Sequence, residues 1–328
     1  LAFMVAVLFV LGTGAASAAQ FWNLGAGRST GITSDGAVVS LTQSSSAKIW
    51  SAQYGTVNLG SGSTSGVAWK GSTLVVAGKS GSTTSRWDGS AQGAGGWSAL
   101  PLTDGDYNWT PAPVSAIASD GTQVMVVGSY NYTLEGSNYF GGVRYKDDGT
   151  AQWTTRFGVP SGFHDNSILY GVSEGDLTAG RAQYAGSGPT GGARQAIQGS
   201  SVGLGNLLGP PTHTNEATAM AISGDGSRIA GWSWNSSGNY QACYWDGPYI
   251  SEEMPTAIPL ASGFYWSEAT AISRTGAYIG GAMWMNGDVG QSAFLWDAVN
   301  GTRDLKAVLT GLGVNLSGWT LSNDYADG

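Results

Sequence analysis

Few side chains in this sequence have the chemistry for covalent or metal-dependent catalysis. The chain contains two histidines, His164 and His213, and one cysteine, Cys243. A serine-type triad needs a histidine held by a carboxylate, but both histidines lie in polar stretches between apolar segments. Their spacing does not indicate a zinc site, and no second cysteine is present. We therefore predict no catalytic residue and no metal ligand here, and we expect Cys243 to be a small buried hydrophobe.

Carboxylates offer a second kind of chemistry, because two acids that flank a sugar bond can hydrolyse it. Three pairs are close in sequence: Asp104 with Asp106, Asp147 with Asp148, and Glu252 with Glu253. All three lie in polar stretches that contain Gly, Asn or Pro, which are typical of solvated turns. The first two pairs would also suit a weak extracellular calcium site, so calcium is the one cofactor kept as an alternative.

Aromatic residues are the largest surplus, with 14 Trp and 14 Tyr. Four tryptophans recur at one place of a repeated pattern and are expected to pack in the core: Trp50, Trp87, Trp245 and Trp296. Other rings do not recur and stand among Asn, Ser and Gly, a composition common on binding surfaces, although such rings can also simply shield a core. The predicted binding residues are Tyr130, Tyr132, Trp232, Trp234, Tyr240, Tyr265, Trp266 and Trp284.

The composition excludes several classes of protein. The chain has 328 residues, of which 53 are Gly, only 11% are charged and 41% are hydrophobic. It is too apolar to be disordered and too poor in charged residues to be a helical bundle or coiled coil. Its net charge of −8 leaves no basic surface for nucleic acid. A globular, glycine-rich β protein fits these values.

A repeated segment is expected to position the candidate residues. Each copy has an apolar stretch, a turn of the Asp-Gly type, and a second apolar stretch that ends in Gly, as in residues 217–231 and 269–281. Glycine supplies the positive φ angle that such a tight turn requires. The turn glycines are spaced by 35, 50, 54, 51, 50 and 52 residues, at Gly36, Gly71, Gly121, Gly175, Gly226, Gly276 and Gly328.

Each copy predicts two hairpins, or about four short strands in some 50 residues. This pattern is typical of a blade in a β-propeller, whereas the coil of a β-solenoid is shorter. We therefore predict an all-β fold, a β-propeller of about six to seven four-stranded blades that is truncated at the C-terminus. The approximate units are 21–60, 61–102, 103–160, 161–215, 216–267 and 268–328. One surface helix is predicted between Arg303 and Leu312, where apolar residues have helical spacing.

The N-terminal region resembles an exported sequence. An apolar run from Leu1 to Leu11 is followed by small residues that end in Ala16-Ser17-Ala18. This arrangement is typical of a secretory signal peptide, and the run is too short for a stable membrane span. We predict a signal peptide over residues 1–19, without its basic n-region, and a secreted propeller domain over residues 20–328.

The repeated units resemble the bacterial HAF-type extracellular repeat. The resemblance is carried by Ala-x-Ala-Ile-Ser-x-Asp-Gly patterns, the following Ile/Val-x-Gly, and Ala293-Phe294-Leu295-Trp296. Gln291-Ser292 stands before this last motif, where the repeat usually has His. The resemblance implies an exported, propeller-like protein of the bacterial cell surface, often associated with a PEP-CTERM signal or an autotransporter domain. It implies no reaction.

Three functions are compatible with these observations. The first is a non-catalytic secreted or cell-surface protein that binds glycan or another surface component through the non-recurring rings. The second is a structural or adhesive autotransporter-type passenger. The third is a glycoside hydrolase or lyase built on a propeller. The sequence favours the first, and thus a protein that is not an enzyme.

Overall fold

The computed structural model describes residues 3–8, 20–100, 110–134, 137–147, 151–153, 163–184, 194–198, 202–208, 216–249, 253–285 and 290–316. Within these residues β-strands predominate. The prediction of an all-β fold is confirmed. A single helix, α1 (Leu305–Gly311), is described, as predicted between Arg303 and Leu312. Its N-cap is Asp304, whose side chain accepts a hydrogen bond from the Ala307 amide at 2.8 Å.

The strands form a series of antiparallel sheets in which sequence neighbours pair. Sheet 1 has seven strands: β3 (Arg28–Ile32), β4 (Val38–Gln43), β5 (Ser46–Ser51), β6 (Gly55–Lys70), β7 (Thr73–Ser80), β8 (Thr83–Gly89) and β9 (Gly95–Ala99). Sheet 2 has four: β10 (Thr110–Ser119), β11 (Val124–Leu134), β12 (Ser137–Tyr145) and β13 (Ala151–Trp153). Sheet 3 has four: β14 (Phe163–Val172), β15 (Thr178–Tyr184), β16 (Arg194–Gln198) and β17 (Val202–Gly203).

The last two complete sheets follow the same plan. Sheet 4 has β18 (Ala217–Ile222), β19 (Arg228–Trp234), β20 (Tyr240–Asp246) and β21 (Thr256–Ala257). Sheet 5 has β22 (Trp266–Ile272), β23 (Tyr278–Trp284), β24 (Gln291–Asp297) and β25 (Gly301–Asp304). A further pair consists of β1 (Phe3–Leu8) and β2 (Gln20–Ala26). The apolar run predicted as a signal peptide thus contains a paired strand, and its removal as a signal stays a prediction.

The first strands of successive sheets lie next to one another. The second half of β6 contacts β10, and contacts then run from β10 to β14, from β14 to β18 and from β18 to β22. Apolar faces of neighbouring sheets pack together, as where Ala230 and Ala242 of sheet 4 meet Ala269 and Ile279 of sheet 5. The core is therefore divided into layers between sheets. The recurring Trp50, Trp87, Trp245 and Trp296 are all buried, which confirms their predicted role in packing.

A β-bulge marks the same place in each first strand, where the register with the next strand shifts by one residue. The register shifts between Ala219 and Ala221 in β18 and between Ala269 and Ala271 in β22. Opposite the bulge of β18, a Cβ atom on Gly231 would lie only 1.9 Å from the Thr218 carbonyl oxygen. The glycine that closes each sequence motif is therefore explained here by the close approach of two backbones. The residues at which the register shifts are Thr30, Ser65, Ser115, Tyr170, Met220 and Thr270.

The loops between first and second strands have the predicted tight turns, with one difference. Gly226 and Gly276 take the left-handed conformation, with φ of 72° and 70°. In sheet 3 the left-handed residue is Asp176, at φ 67°, and not the predicted Gly175. Aspartate tolerates this conformation better than most residues, because its short side chain bonds to the local backbone. The sequence pattern therefore placed this turn one residue too early.

Candidate functional site

The loops between first and second strands meet in pairs, and we call this side of the molecule the turn end. The Glu174 amide donates to the Gly224 carbonyl at 2.8 Å, and the Asp225 amide donates to the Arg274 carbonyl at 3.0 Å. The Arg274 guanidinium also reaches past the loop of sheet 4 to form a 2.6 Å ion pair with Glu174. The loops of sheets 3, 4 and 5 are thus tied together at this end.

Acids at the turn end are used to hold these loops in shape. The Asp225 carboxylate accepts hydrogen bonds from the Ser223 hydroxyl at 2.7 Å and the Ser227 amide at 2.9 Å, and these bonds keep its pKa below the usual value. Asp120 has a lowered pKa for the same reason, with bonds from the amides of Gln123 and Thr122. A carboxylate held in its charged form in this way is a poor proton donor.

Asp147 is the described member of one predicted carboxylate pair, and it lies in an ion cluster. It accepts from Lys70 and from the Val124 amide at 3.1 Å, and it lies 3.5 Å from Arg86. Burial alone would raise the pKa of Asp147, but these partners outweigh it and lower the pKa. This geometry gives Asp147 a structural role between sheets 1 and 2.

Five other residues that were considered for acid, base or metal-binding chemistry lie outside the described part of the chain. They are Asp104, Asp106, Asp148, Glu252 and His213. His164 lies within β14, and nothing is described of its side chain. No group of three or more His, Cys, Asp or Glu side chains that could hold a metal is found among the described residues. The calcium alternative stays a prediction.

Cys243 is fully buried, as predicted. Burial raises the pKa of its thiol well above the usual value, which disfavours the reactive thiolate.

Most of the predicted binding residues lie at the opposite side of sheets 4 and 5, which we call the aromatic end. Tyr240 contacts two tryptophans of the neighbouring strand. Its ring centroid lies 4.7 Å from that of Trp232 and 5.3 Å from that of Trp234. Trp232 is buried, whereas Trp234 and Tyr240 are half-buried. The sequence therefore predicted a real cluster, but one of its three rings belongs to the interior.

The aromatic residues of sheet 5 lie at the corresponding end of the next sheet. Trp266 begins the first strand and pairs in register with Trp284 at the end of the second. Tyr265 precedes them, its amide donates to the Trp284 carbonyl at 2.8 Å, and its side chain is 48% exposed. Trp266 is half-buried and Trp284 is buried. Tyr265 and Trp266 are therefore the more accessible rings here.

The two predicted binding tyrosines of sheet 2 have a different environment. Tyr130 is buried in the layer between sheets 1 and 2, with Val75, Ala77 and Leu100. A Cβ atom on Gly141 would lie 2.1 Å from the Tyr130 ring, so the ring lies flat against this glycine. Tyr132 lies in β11, and its side chain is outside the described part. In this conformation Tyr130 offers no ring face to a ligand.

Glu268 is a candidate site residue that the sequence analysis did not identify. It lies in β22, two residues after Trp266 and one before the buried Ala269, which packs toward sheet 4. Because side chains alternate along a strand, Glu268 shares a sheet face with Trp266 and points away from sheet 4. Its carboxylate has no hydrogen bond or ion pair within the described residues, and burial raises its pKa. No other described Asp or Glu shows a raised pKa.

One signal in the sequence could have indicated Glu268. The repeat places Ile168, Thr218 and Glu268 at the same position of successive first strands, opposite Arg181, Trp232 and Ala282. Glu268 is the acid at this repeat position, where the two preceding copies have an apolar residue, Ile168, and a hydroxyl residue, Thr218. The strand environment that raises its pKa, however, is visible only in the folded chain.

The comparisons with known proteins bear on the fold. No model of a protein family matches the chain, and no curated protein matches its sequence. Among solved structures, the β-propeller domain of the trilobed protease from Pyrococcus furiosus has a TM-score of 0.52 at 10% identity, over 87% of this chain and 84% of that chain. The chain has a β-propeller fold. The HAF resemblance stays a prediction.

Two further propellers are similar at the same low identity. An oligogalacturonate lyase from Vibrio parahaemolyticus has a TM-score of 0.54 at 10% identity, over 84% of this chain and 75% of that chain. An acylaminoacyl peptidase from Pyrococcus horikoshii has a TM-score of 0.53 at 10% identity, over 89% of this chain but only 47% of that chain. At such identity the likeness establishes the propeller fold and not a reaction.

The prediction of a non-catalytic surface protein that binds glycan, or of an adhesive passenger, is wrong, and so is the prediction that the chain is not an enzyme. The similar propellers belong to a lyase and to peptidases. The prediction rested on the lack of a catalytic motif. That lack is poor evidence on a propeller, because single residues from separate strands can form a site without any local motif.

Proposed function

We propose that this propeller is a carbohydrate-cleaving enzyme and that Glu268 is its general acid. The observation that carries the proposal is the half-buried Glu268 carboxyl on a first strand, which has a raised pKa and no partner among the described residues. A raised pKa keeps more of a carboxyl protonated near neutral pH, as a proton donor requires. Asp120 and Asp225 at the turn end have the opposite property, a lowered pKa.

The aromatic end supports a sugar substrate. Trp266 lies on the same sheet face as Glu268, and its ring is half-buried with Trp284 beside it in register. Indole rings stack on the apolar faces of sugar rings while leaving the sugar hydroxyls to polar groups. One of the similar propellers is an oligogalacturonate lyase, which gives the substrate class a precedent on this fold.

The proposed step is hydrolysis of a glycosidic bond. The protonated Glu268 gives its proton to the glycosidic oxygen as the bond from that oxygen to the anomeric carbon breaks. A water molecule then bonds to the anomeric carbon and loses a proton to a second carboxylate. This second carboxylate has to lie on the side of sheet 5 that Glu268 faces, because Glu268 points away from sheet 4.

The test is an assay on a panel of polysaccharides, polygalacturonate included, with Glu268→Gln as the main variant. We expect the rate constant of the wild-type protein to fall about 10²–10⁴-fold in this variant. Glu174→Gln is the matched control, because it makes the same change at the turn end and should retain activity. If the wild type cleaves no member of the panel, or if Glu268→Gln keeps full activity, the proposal fails. Cleavage of peptides instead would assign the chain to the peptidase type of propeller.

We further propose a ring of six to seven four-stranded blades. Sheets 2 to 5 would form one blade each, and sheet 1 would form two that share the long strand β6. Six first strands with equivalent bulges support six of these blades. An experimental structure would count the blades directly.

We also propose secretion to the outside of a bacterial cell, where a polysaccharide substrate is accessible. No described helix has the length and apolar character to cross a membrane. N-terminal sequencing of the mature protein tests whether residues 1–19 are removed.

A further inference from the structure

Two buried polar atoms of sheet 4 have no hydrogen-bond partner among the described residues: the Thr218 hydroxyl oxygen and the Trp234 indole nitrogen. Thr218 is only 1% exposed, so water from the surface does not reach it. An unsatisfied buried donor or acceptor is destabilising, and buried polar groups in native proteins are nearly always paired. These two atoms therefore require an explanation.

The two atoms belong to one small region of the sheet. Thr218 of β18 lies directly opposite Trp232 of β19, and Trp234 is two residues further along β19. Residues 232 and 234 are on one face, since both rings contact Tyr240. Thr218 and Trp234 are thus diagonal neighbours on that face, with Cα atoms about 7–8 Å apart for such a pair.

This face is turned toward sheet 5. Ala230 and Ala242 share it, because side chains alternate along β19 and because Ala242 pairs with Trp232. Both alanines pack against Ala269 and Met283 of sheet 5. The Thr218 hydroxyl and the Trp234 N–H therefore lie at the border between two sheets, next to the aromatic end.

We infer that one buried water molecule is bound here and bridges Thr218 and Trp234. The indole N–H can only donate, and the hydroxyl can donate or accept, so a single water oxygen can satisfy both. Buried waters characteristically bond to polar groups that have no protein partner. A bridging water would fix the Trp234 ring against Tyr240.

Urea unfolding of Thr218→Val, Trp234→Phe and the double variant tests this inference. If the water bridges both groups, Thr218→Val lowers the midpoint urea concentration, because the water loses a partner. The double variant then falls by clearly less than the sum of the single shifts, since each change releases the same water. Thr56→Val is the control for the strand preference of valine, because Thr56 is exposed at a regularly paired position of β6.

An unchanged or higher midpoint for Thr218→Val would overturn the inference, since removing an unsatisfied hydroxyl is neutral or stabilising. Strictly additive shifts would also overturn it. If a variant fails to fold, a high-resolution crystal structure of the wild type decides. We expect one water within hydrogen-bond distance of both atoms, and density without such a water would refute the proposal. None of these outcomes depends on catalytic activity.

Discussion

At the turn end, Asp225 accepts hydrogen bonds from Ser223 and Ser227, whereas at the aromatic end Glu268 has no described partner. Asp225 follows the first strand of sheet 4, and Glu268 lies within the first strand of sheet 5. The two sheets are built from the same repeat. The surrounding donors lower the pKa of Asp225, and burial without donors raises the pKa of Glu268. The comparison shows that one scaffold can surround a carboxylate with hydrogen-bond donors at one end and bury another without a described donor at the other end.

The largest structural effect is expected between the two ends, at the bulge. Gly231→Ala would place a Cβ atom against the Thr218 carbonyl, so we expect a loss of about 1–3 kcal/mol in the free energy of unfolding. Gly175→Ala at the turn end is the control, because its Cβ would meet no atom closer than 4.0 Å. Chemical denaturation measures both. Equal losses in the two variants would show that the close approach at the bulge is not what demands glycine.

The two acids should also affect stability with opposite dependence on pH. The pKa of Glu268 is raised by folding, so its contribution to stability is full below the unfolded pKa and is lost as pH rises through the folded pKa. The pKa of Asp225 is lowered, so its contribution is present above the unfolded pKa and is lost as pH falls through the folded pKa.

Two variants measure this difference. At neutral pH, Glu268→Gln should raise the midpoint of urea unfolding and Asp225→Asn should lower it. Both differences should disappear in acid, because the wild-type carboxyls are then protonated. Shifts of the same sign at neutral pH would contradict the proposed contrast between the two ends.

The smallest effect is expected at the ion pair between Arg274 and Glu174. Arg274 is largely exposed, and exposed ion pairs contribute little to stability. Arg274→Gln should lower the unfolding midpoint only slightly, and the difference should shrink further at high salt. A large loss that salt does not change would show that this pair is essential for joining the loops of sheets 3 and 5.

The repeat predicted much of the local structure. Asp-Gly turns, apolar alternation and recurring tryptophans are local signals, and the structure confirms the all-β fold and the burial of Trp87 and Trp245. The turn at Asp176 was misplaced because Gly175 is the more common residue in a left-handed conformation. The candidate binding rings were identified only by composition. Composition does not distinguish the buried Tyr130 from the exposed Tyr265.

By itself the sequence determined where strands and turns form, because those depend on residues that are near neighbours in the chain. The packing of separate sheets decided which groups are accessible and which are charged. Glu268 has its raised pKa, and the Thr218 hydroxyl and the Trp234 N–H have no hydrogen-bond partner among the described residues, because strands from different parts of the chain bury them. Desolvation depends on all surrounding atoms, and a linear pattern of residue types does not contain that information.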